Sequence, residues 1–447
     1  MCSIKRIDSH PMTEHNGVVL VAEPIPSGLS RRGWSNVQSI MPRIKGAVQE
    51  RSLKHSDKID LSTAENWLIR PELVELCKAS VGQLLEEKHF SYSRGFAGDP
   101  DLMEALASFF NKYFSPYIPV LPAHIATAPG ATASIDALLY NICEPGDGVL
   151  LPSPYWNGFD FGIRVRSSVV PVLVTLGSHG ANFSDELLPA LEKAYNSAQC
   201  QVRALLITNP HNPLALCYPR DTLESCVKFC AKHNLHLISD EVYALSTFPS
   251  PDVQRTDPFV SVLSLDLDCL EAKKSQVHTV WSTSKDFGQS GIRMGCTITQ
   301  FNREMAVGLA LAANTQISVL TSIFVTSLLS SPDLPSLIAL NSERLASAYK
   351  QITTFFKNER IAYLPCNAGL YLYVKLVPYA VTWDDEANVV SQFREAGVLV
   401  SPGRAFHGPD SEKGWVRMGF AVHPIQLQEA IKRMKRALGT WNQLAVQ

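Results

Sequence analysis

Long apolar runs are missing from this chain. No stretch of about 18 apolar residues appears in the 447-residue sequence, so a transmembrane helix is not expected. The first residues, MCSIKRIDSHPMTEH, carry no apolar block either, and neither a signal peptide nor an anchor is expected. Charge excess is also lacking: the formal net charge is −2, which gives nucleic acid or an anionic membrane no electrostatic hold. The ten cysteines form no CxxC pair and are read as reduced thiols of a cytoplasmic protein. Internal repeats and low-complexity segments are absent, and the first 60 residues are too irregular for a DNA-binding helix-turn-helix.

What is present is an α/β pattern. Between about 120 and 300, apolar runs (HIATA, GVLLP, SVVPVLV, RALLITNP, LHLISDE, HTVWSTS and MGCTIT) alternate with helix-period segments such as ASIDALLYNIC, DELLPALEKAYNSA and RDTLESCVKFCAKHN. Such alternation predicts a mainly parallel sheet covered on both faces. RRGWSN and MPRIKGAVQERSLK predict an arm and a first helix, and one further helix is expected near 303–329. Beyond 330 the pattern gives a long helix, strands at GLYLYVKL and VRMGFAV, and a last helix. The domain expectation is an arm and part of a small domain at 1–75, a large domain at 76–329 and an α+β small domain at 330–447. Cys226, Cys230 and His233 share one helical face, but a fourth zinc ligand is lacking, and packing thiols are the expectation; no metal is expected.

Ligands of parallel α/β sheets sit at the carboxyl ends of the strands. After HIATA, Gly130, Ala131 and Thr132 open a helix whose free N–H groups suit an anion, although a glycine before a helix is also an ordinary turn. After GVLLP, Tyr155 offers a flat ring for stacking; a half-buried tyrosine is the plain alternative. Asn212 lies between two prolines and is able to donate to a ring oxygen. Asp240 and Tyr243 follow LHLIS, where an aspartate is equally able to cap a helix. After HTVW come Ser282, Ser284, Lys285 and Arg293, two hydroxyls and a guanidinium fork around a lysine, chemistry suited to a phosphate dianion beside an imine-forming amine. Gly288, Gly291 and Gly295 in the same stretch are expected to admit close backbone approach. Together these pieces describe pyridoxal 5′-phosphate.

The residues resemble the class I/II (fold type I) aminotransferases. Four stretches, STAENWLIRPEL (62–73), SPYWNGFD (153–160), HLISDEVYA (236–244) and WSTSKDFGQSGIRMG (281–295), narrow the likeness to the 1-aminocyclopropane-1-carboxylate (ACC) synthase branch and its fungal ACC-synthase-like or C–S lyase-type members. The resemblance implies a seven-stranded sheet in a three-layer αβα domain plus a smaller α+β domain. By it, Lys285 is the Schiff-base lysine, Asp240 pairs with the pyridine nitrogen, and Asn212 with Tyr243 binds the ring oxygen. Tyr155 stacks on the ring, and Ala131, Thr132, Ser282, Ser284 and Arg293 hold the phosphate. It further implies that Tyr92, in FSYSRGFAGDP, reaches the neighbouring site of a homodimer, that Arg417, in GWVRMGFAV, grips the substrate carboxylate, and that Glu65 lies on the substrate side. Ala215, in place of a usual glycine, and Ile135–Asp136 depart from the family pattern and weigh against the plant reaction, cyclisation of S-adenosylmethionine. The implied function is a transaminase or C–S lyase of fungal secondary metabolism, with ACC synthase as the alternative. A non-catalytic cofactor-binding regulator is disfavoured because Lys285, Asp240 and Arg417 are all present.

Overall fold

The computed structural model describes residues 28–52, 57–253, 258–313 and 317–444; the extreme N-terminal stretch read above lies outside them. The chain divides into two units, Met1–Lys54 and His55–Gln447. The first contributes one helix, α1 (Arg31–Ser52). The second opens with β1 (Ile59–Asp60), α2 (Arg70–Leu84) and α3 (Pro100–Tyr113). There follow β2 (Ile125–Ala128), α4 (Ala131–Ile142), β3 (Gly148–Pro152), α5 (Phe159–Val165), β4 (Val170–Val174), α6 (Leu187–Ser197), β5 (Val202–Thr208), α7 (Arg220–His233) and β6 (His236–Asp240). Next come β7 (Val277–Ser282), α8 (Thr283–Asp286), β8 (Gly295–Ile298), α9 (Arg303–Ala313), α10 (Val319–Leu329) and α11 (Leu334–Asn358). The chain closes with β9 (Ala362–Tyr363), β10 (Tyr371–Lys375), α12 (Trp383–Glu395), β11 (Val398–Leu399), β12 (Ser401–Pro402), β13 (Trp415–Gly419) and α13 (Pro424–Leu444).

All seven apolar runs of the central region are strands of one sheet, in the order β2-β8-β7-β6-β5-β3-β4. Only β8 runs antiparallel to its neighbours. Side-chain alternation divides the core between two faces. Leu150, Leu205, Ile207 and Leu237 meet α6 and α7, while Val149, Leu151, Ala204, Leu206, Ile238 and Val280 meet α4, α5 and α9. Helices therefore cover both faces, as a buried parallel sheet requires. A further apolar cluster joins α2, α3 and α10 to Trp281, Cys296 and Ile298. The thiols of Cys226 and Cys230 lie buried in the α6–α7 cluster, and His233 faces Glu192 at 2.9 Å. Among the described residues, no three His, Cys, Asp or Glu side chains are grouped to hold a metal ion.

The helix expected over 303–329 is two helices, α9 and α10. Ser318 has extended backbone and its hydroxyl caps Leu320 N, so a new helix starts there. After α11 a second, four-stranded sheet runs β12-β13-β10-β9, and β1 pairs in parallel with β11 across more than 300 residues of sequence. Helix α12 was not evident in the polar sequence WDDEANVVSQFRE; Thr382 and Asp385 start it with a reciprocal capping box.

Candidate active site

One edge of the large sheet gathers the predicted groups. The carboxyl ends of β2, β3, β5, β6 and β7 lead to Gly130, Tyr155, Asn212, Asp240 and Ser282, and antiparallel β8 starts at the same edge just after Arg293. Lys285 sits on α8, one turn past β7, half-buried, with Nζ donating to the Ala64 carbonyl at 2.8 Å. Its pKa is lowered to about 8, mainly by desolvation, then by the Arg417 charge; Glu65 and Asp240 act in the opposite sense. The amine is thus a base close to neutrality rather than a permanent cation.

Asp240 ends β6. Its carboxyl is pushed up to about 7 by burial, against a backbone N–H from Val242 and the charge of Lys285. Its Oδ1 is buried and has no hydrogen-bond partner among the described residues. A buried, unpaired carboxylate oxygen is costly unless a donor meets it. A protonated pyridine nitrogen is such a donor, so the residues present fit pyridoxal 5′-phosphate. Tyr243, buried, has its phenol pushed further up by desolvation and lies edge-on to Tyr371.

The phosphate end is a helix start. Gly130 has φ +94° and no side chain caps the first turn of α4, which leaves Ala131 and Thr132 N–H groups directed outward. A Cβ on Gly130 would meet the Arg293 guanidinium, the movable end of a long side chain, so it is the positive φ that favours glycine there. Arg293 itself has φ +60° and is held by the carbonyls of Pro129 (2.6 Å) and Ser290 (2.7 Å). Ser282 Oγ lies 2.6 Å from the Met294 carbonyl and 2.8 Å from Ser284 Oγ, and it accepts from Ser284 N–H at 3.1 Å, which holds the two hydroxyls together. Of the glycines in the lysine stretch, Gly288 (φ +62°) lies against the Asn66 carbonyl and Gly295 against Gly130 and Ala131; Gly291 has open space.

Arg417, in the middle of β13, is buried. Nη1 donates to Asn212 Oδ1 at 2.9 Å and Nη2 to the Ser62 carbonyl at 2.6 Å, while Nε is buried without a partner among the described residues. The guanidinium lies 4.9 Å and 4.8 Å from the ring centres of Tyr371 and Phe406. Asn212 is thereby oriented by the arginine that the resemblance assigns to substrate. Tyr155 is buried, stacked on His407 at 4.6 Å, and its hydroxyl donates to Asp160 Oδ1 at 2.6 Å; Asp160 Oδ2 meets His407 Nε2 at 2.7 Å. Trp156, the next residue, is half-buried and lies against the cluster of Phe406, Tyr373 and Trp415.

The segment 62–68 is the part that residue types did not disclose. Its carbonyls at Ser62 and Ala64 satisfy Arg417 and Lys285, and Asn66 is tied to Asn341 at 2.8 Å. Glu65 pairs with Arg70 at 2.9 Å. Tyr92 is 89% exposed, with Phe90 and Phe96 exposed on the same stretch.

Comparisons with known proteins bear on the family and the fold. A family model described as aminotransferase class I and II matches residues 56–434. A "Probable aminotransferase aclI" of Aspergillus oryzae is 51% identical over 413 residues, 92% of this chain and 98% of that protein. "1-aminocyclopropane-1-carboxylate synthase 6" of Arabidopsis thaliana is 31% identical over 381 residues, 83% of this chain and 74% of that protein. The solved aspartate aminotransferase of Thermus thermophilus with maleate superposes with a TM-score of 0.74 at 22% identity, over 92% of this chain and 99% of its own, a likeness of fold. The chain belongs to the class I/II aminotransferases, as a fold type I, pyridoxal 5′-phosphate-dependent enzyme.

Proposed function

We propose that the enzyme acts at Cα of an amino acid through Lys285 and continues to transamination or C–S bond cleavage, in fungal secondary metabolism. The observation that carries the reading is the convergence of three groups: an amine with a pKa of about 8, a buried guanidinium, and a buried carboxylate oxygen without a partner among the described residues. Bound pyridoxal 5′-phosphate supplies the electron sink that acidifies the α-proton. Asp240 holds a proton on the pyridine nitrogen, Asn212 and Tyr243 face the ring oxygen, and Gly130, Ala131, Thr132, Ser282, Ser284 and Arg293 take the phosphate. Tyr155 packs toward the ring. Arg417 receives the substrate α-carboxylate on N–H groups that its two bonds leave over. Lys285 Nζ takes the α-proton, and its lowered pKa suits a general base at neutral pH.

In this reading residues 76–329 hold the cofactor and 330–447 form the smaller domain that carries Arg417. The exposed run of Phe90, Tyr92 and Phe96 supports a homodimer in which Tyr92 serves the neighbouring site. A cytoplasmic location goes with it. The high identity to the fungal aminotransferase, against 31% to the plant synthase, favours transamination or C–S cleavage over ACC formation. Product analysis with amino donors, cysteine conjugates and S-adenosylmethionine tests this. A keto acid, or pyruvate with a thiol, supports it; ACC as the sole product would move the enzyme to the synthase reaction.

A further inference from the structure

The small sheet places a buried phenol beside Arg417. In the pairing of β10 with β13, Tyr371 lies opposite Gly419 and Tyr373 opposite Arg417, so residues 371, 373 and 417 share one face. Tyr371 is diagonal to Arg417 on that face, a distance that an aromatic ring spans. The guanidinium lies 4.9 Å from its ring centre. On another side the ring meets Tyr243 edge-on, with centres 5.4 Å apart at 88°. The Tyr371 hydroxyl donates to the carbonyl of His211, the residue before Asn212, at 3.3 Å. One fully buried side chain therefore touches Arg417, Tyr243 and the chain that carries Asn212.

Packing accounts for the ring but not for the hydroxyl. Phenylalanine would keep both ring contacts, and a buried hydroxyl is costly unless it is well bonded. The bond to His211 is slack, 3.3 Å against about 2.7–2.8 Å for an ordinary hydroxyl donor. The Tyr243 hydroxyl is the second acceptor. Burial raises the Tyr243 phenol, while the Arg417 charge and then a hydrogen bond from Tyr371 act in the opposite sense. Burial raises the Tyr371 phenol too, and the same bond adds to that rise. Opposite signs on the two partners make Tyr371 the donor and Tyr243 the acceptor. A phenol carries a single O–H, so Tyr243 keeps its own proton for a different acceptor.

We infer that Tyr371 is a positioning residue whose hydroxyl, by donating to Tyr243, aims the Tyr243 proton at the ring oxygen of the bound cofactor. This rests on the reading above in which Tyr243 faces that oxygen. A donor there favours the less protonated form of the bound cofactor and so lowers the pH midpoint of its visible absorption. The test uses the full-length, cofactor-loaded enzyme without substrate. Wild type, Tyr371→Phe, Tyr243→Phe and the double variant are titrated with pH by absorbance, and cofactor affinity is measured by titration into the stripped proteins. Tyr371→Phe raises the midpoint by about one unit, the scale of one hydrogen bond, and Tyr243→Phe raises it at least as far. The double variant goes no further than Tyr243→Phe, because the hydroxyl acts through Tyr243. Cofactor affinity in Tyr371→Phe falls by no more than about 10-fold, since the phosphate groups are untouched. A midpoint that stays put in Tyr371→Phe while Tyr243→Phe moves it overturns the inference and leaves the role of Tyr243 intact. Shifts that add in the double variant, or loss of the cofactor from Tyr371→Phe, overturn it as well. No shift in Tyr243→Phe overturns the role given to Tyr243, and this inference with it.

Discussion

Truncation of Arg417 separates substrate recognition from cofactor binding. The guanidinium makes two bonds within the chain, to Asn212 Oδ1 and the Ser62 carbonyl, and neither partner is assigned to the phosphate. A substrate carboxylate held on two of its N–H groups gains two charge-assisted bonds, each about 1.5–3 kcal/mol. Both use N–H groups that the Asn212 and Ser62 bonds leave over, so the loss in Arg417→Ala is about 4 kcal/mol. At 1.4 kcal/mol per decade that is roughly a thousandfold in kcat/KM, carried mainly by KM. The variant also leaves Asn212 Oδ1 and the Ser62 carbonyl without this donor, at a cost of about 1–3 kcal/mol each in stability. Arg417→Lys is the companion, keeping a charge while losing the fork, and is expected to fall between. Steady-state kinetics give KM, and fluorescence titration of cofactor into stripped protein gives the cofactor Kd. The reasoning is refuted if cofactor affinity drops as far as kcat/KM, because Arg417 would then serve the fold or the cofactor instead of the substrate.

Borohydride reduction followed by peptide mapping should place the pyridoxyl label on Lys285, and Lys285→Ala should lose it; a label on another lysine refutes the assignment. In stripped protein the rate of cofactor attachment should rise through pH about 8, since burial and Arg417 lower the Lys285 pKa from its ordinary 10.5, and a midpoint near 10.5 would be incompatible with this. The same lowering means the unfolded chain binds more protons between pH 8 and 10.5, so Lys285's contribution to stability becomes more favourable as pH rises through that window, and Lys285→Met should remove that component of the slope. Light scattering should find a dimer. Mixing Tyr92→Ala with Lys285→Ala should restore activity that neither has alone; a fully active monomer would exclude the role given to Tyr92.

The large sheet was legible because each buried strand is a short run of apolar residues with a chemical group at its end. Asp240, Ser282 and Lys285 could be located by position relative to those runs, and the structure puts them on one edge. Direction was less legible: MGCTIT reads like its neighbours, yet β8 is antiparallel, which is what brings Arg293 to the edge from the other side of the strand. The two-residue strands β1, β11 and β12 exist through pairing with distant chain and leave no local pattern. Ala215 was recognised as a departure from glycine, and its φ of +57° shows why glycine suits the position. The carbonyls of Ser62 and Ala64 were invisible for a different reason, since every residue has a carbonyl and only the path of the chain decides where it points. The Asp160–His407 contact spans 247 residues and is likewise a product of the fold.

Ser62 and Ala64 lie two residues apart and accept from the Arg417 guanidinium and the Lys285 amine respectively, so one stretch of main chain touches both ends of the candidate site. Were Lys285 taken up by the cofactor, the Ala64 carbonyl would give up this donor while the Ser62–Arg417 bond stayed in place. A short piece of main chain thus sets the spacing between the amine and the guanidinium, the two groups on which this reading of the site depends.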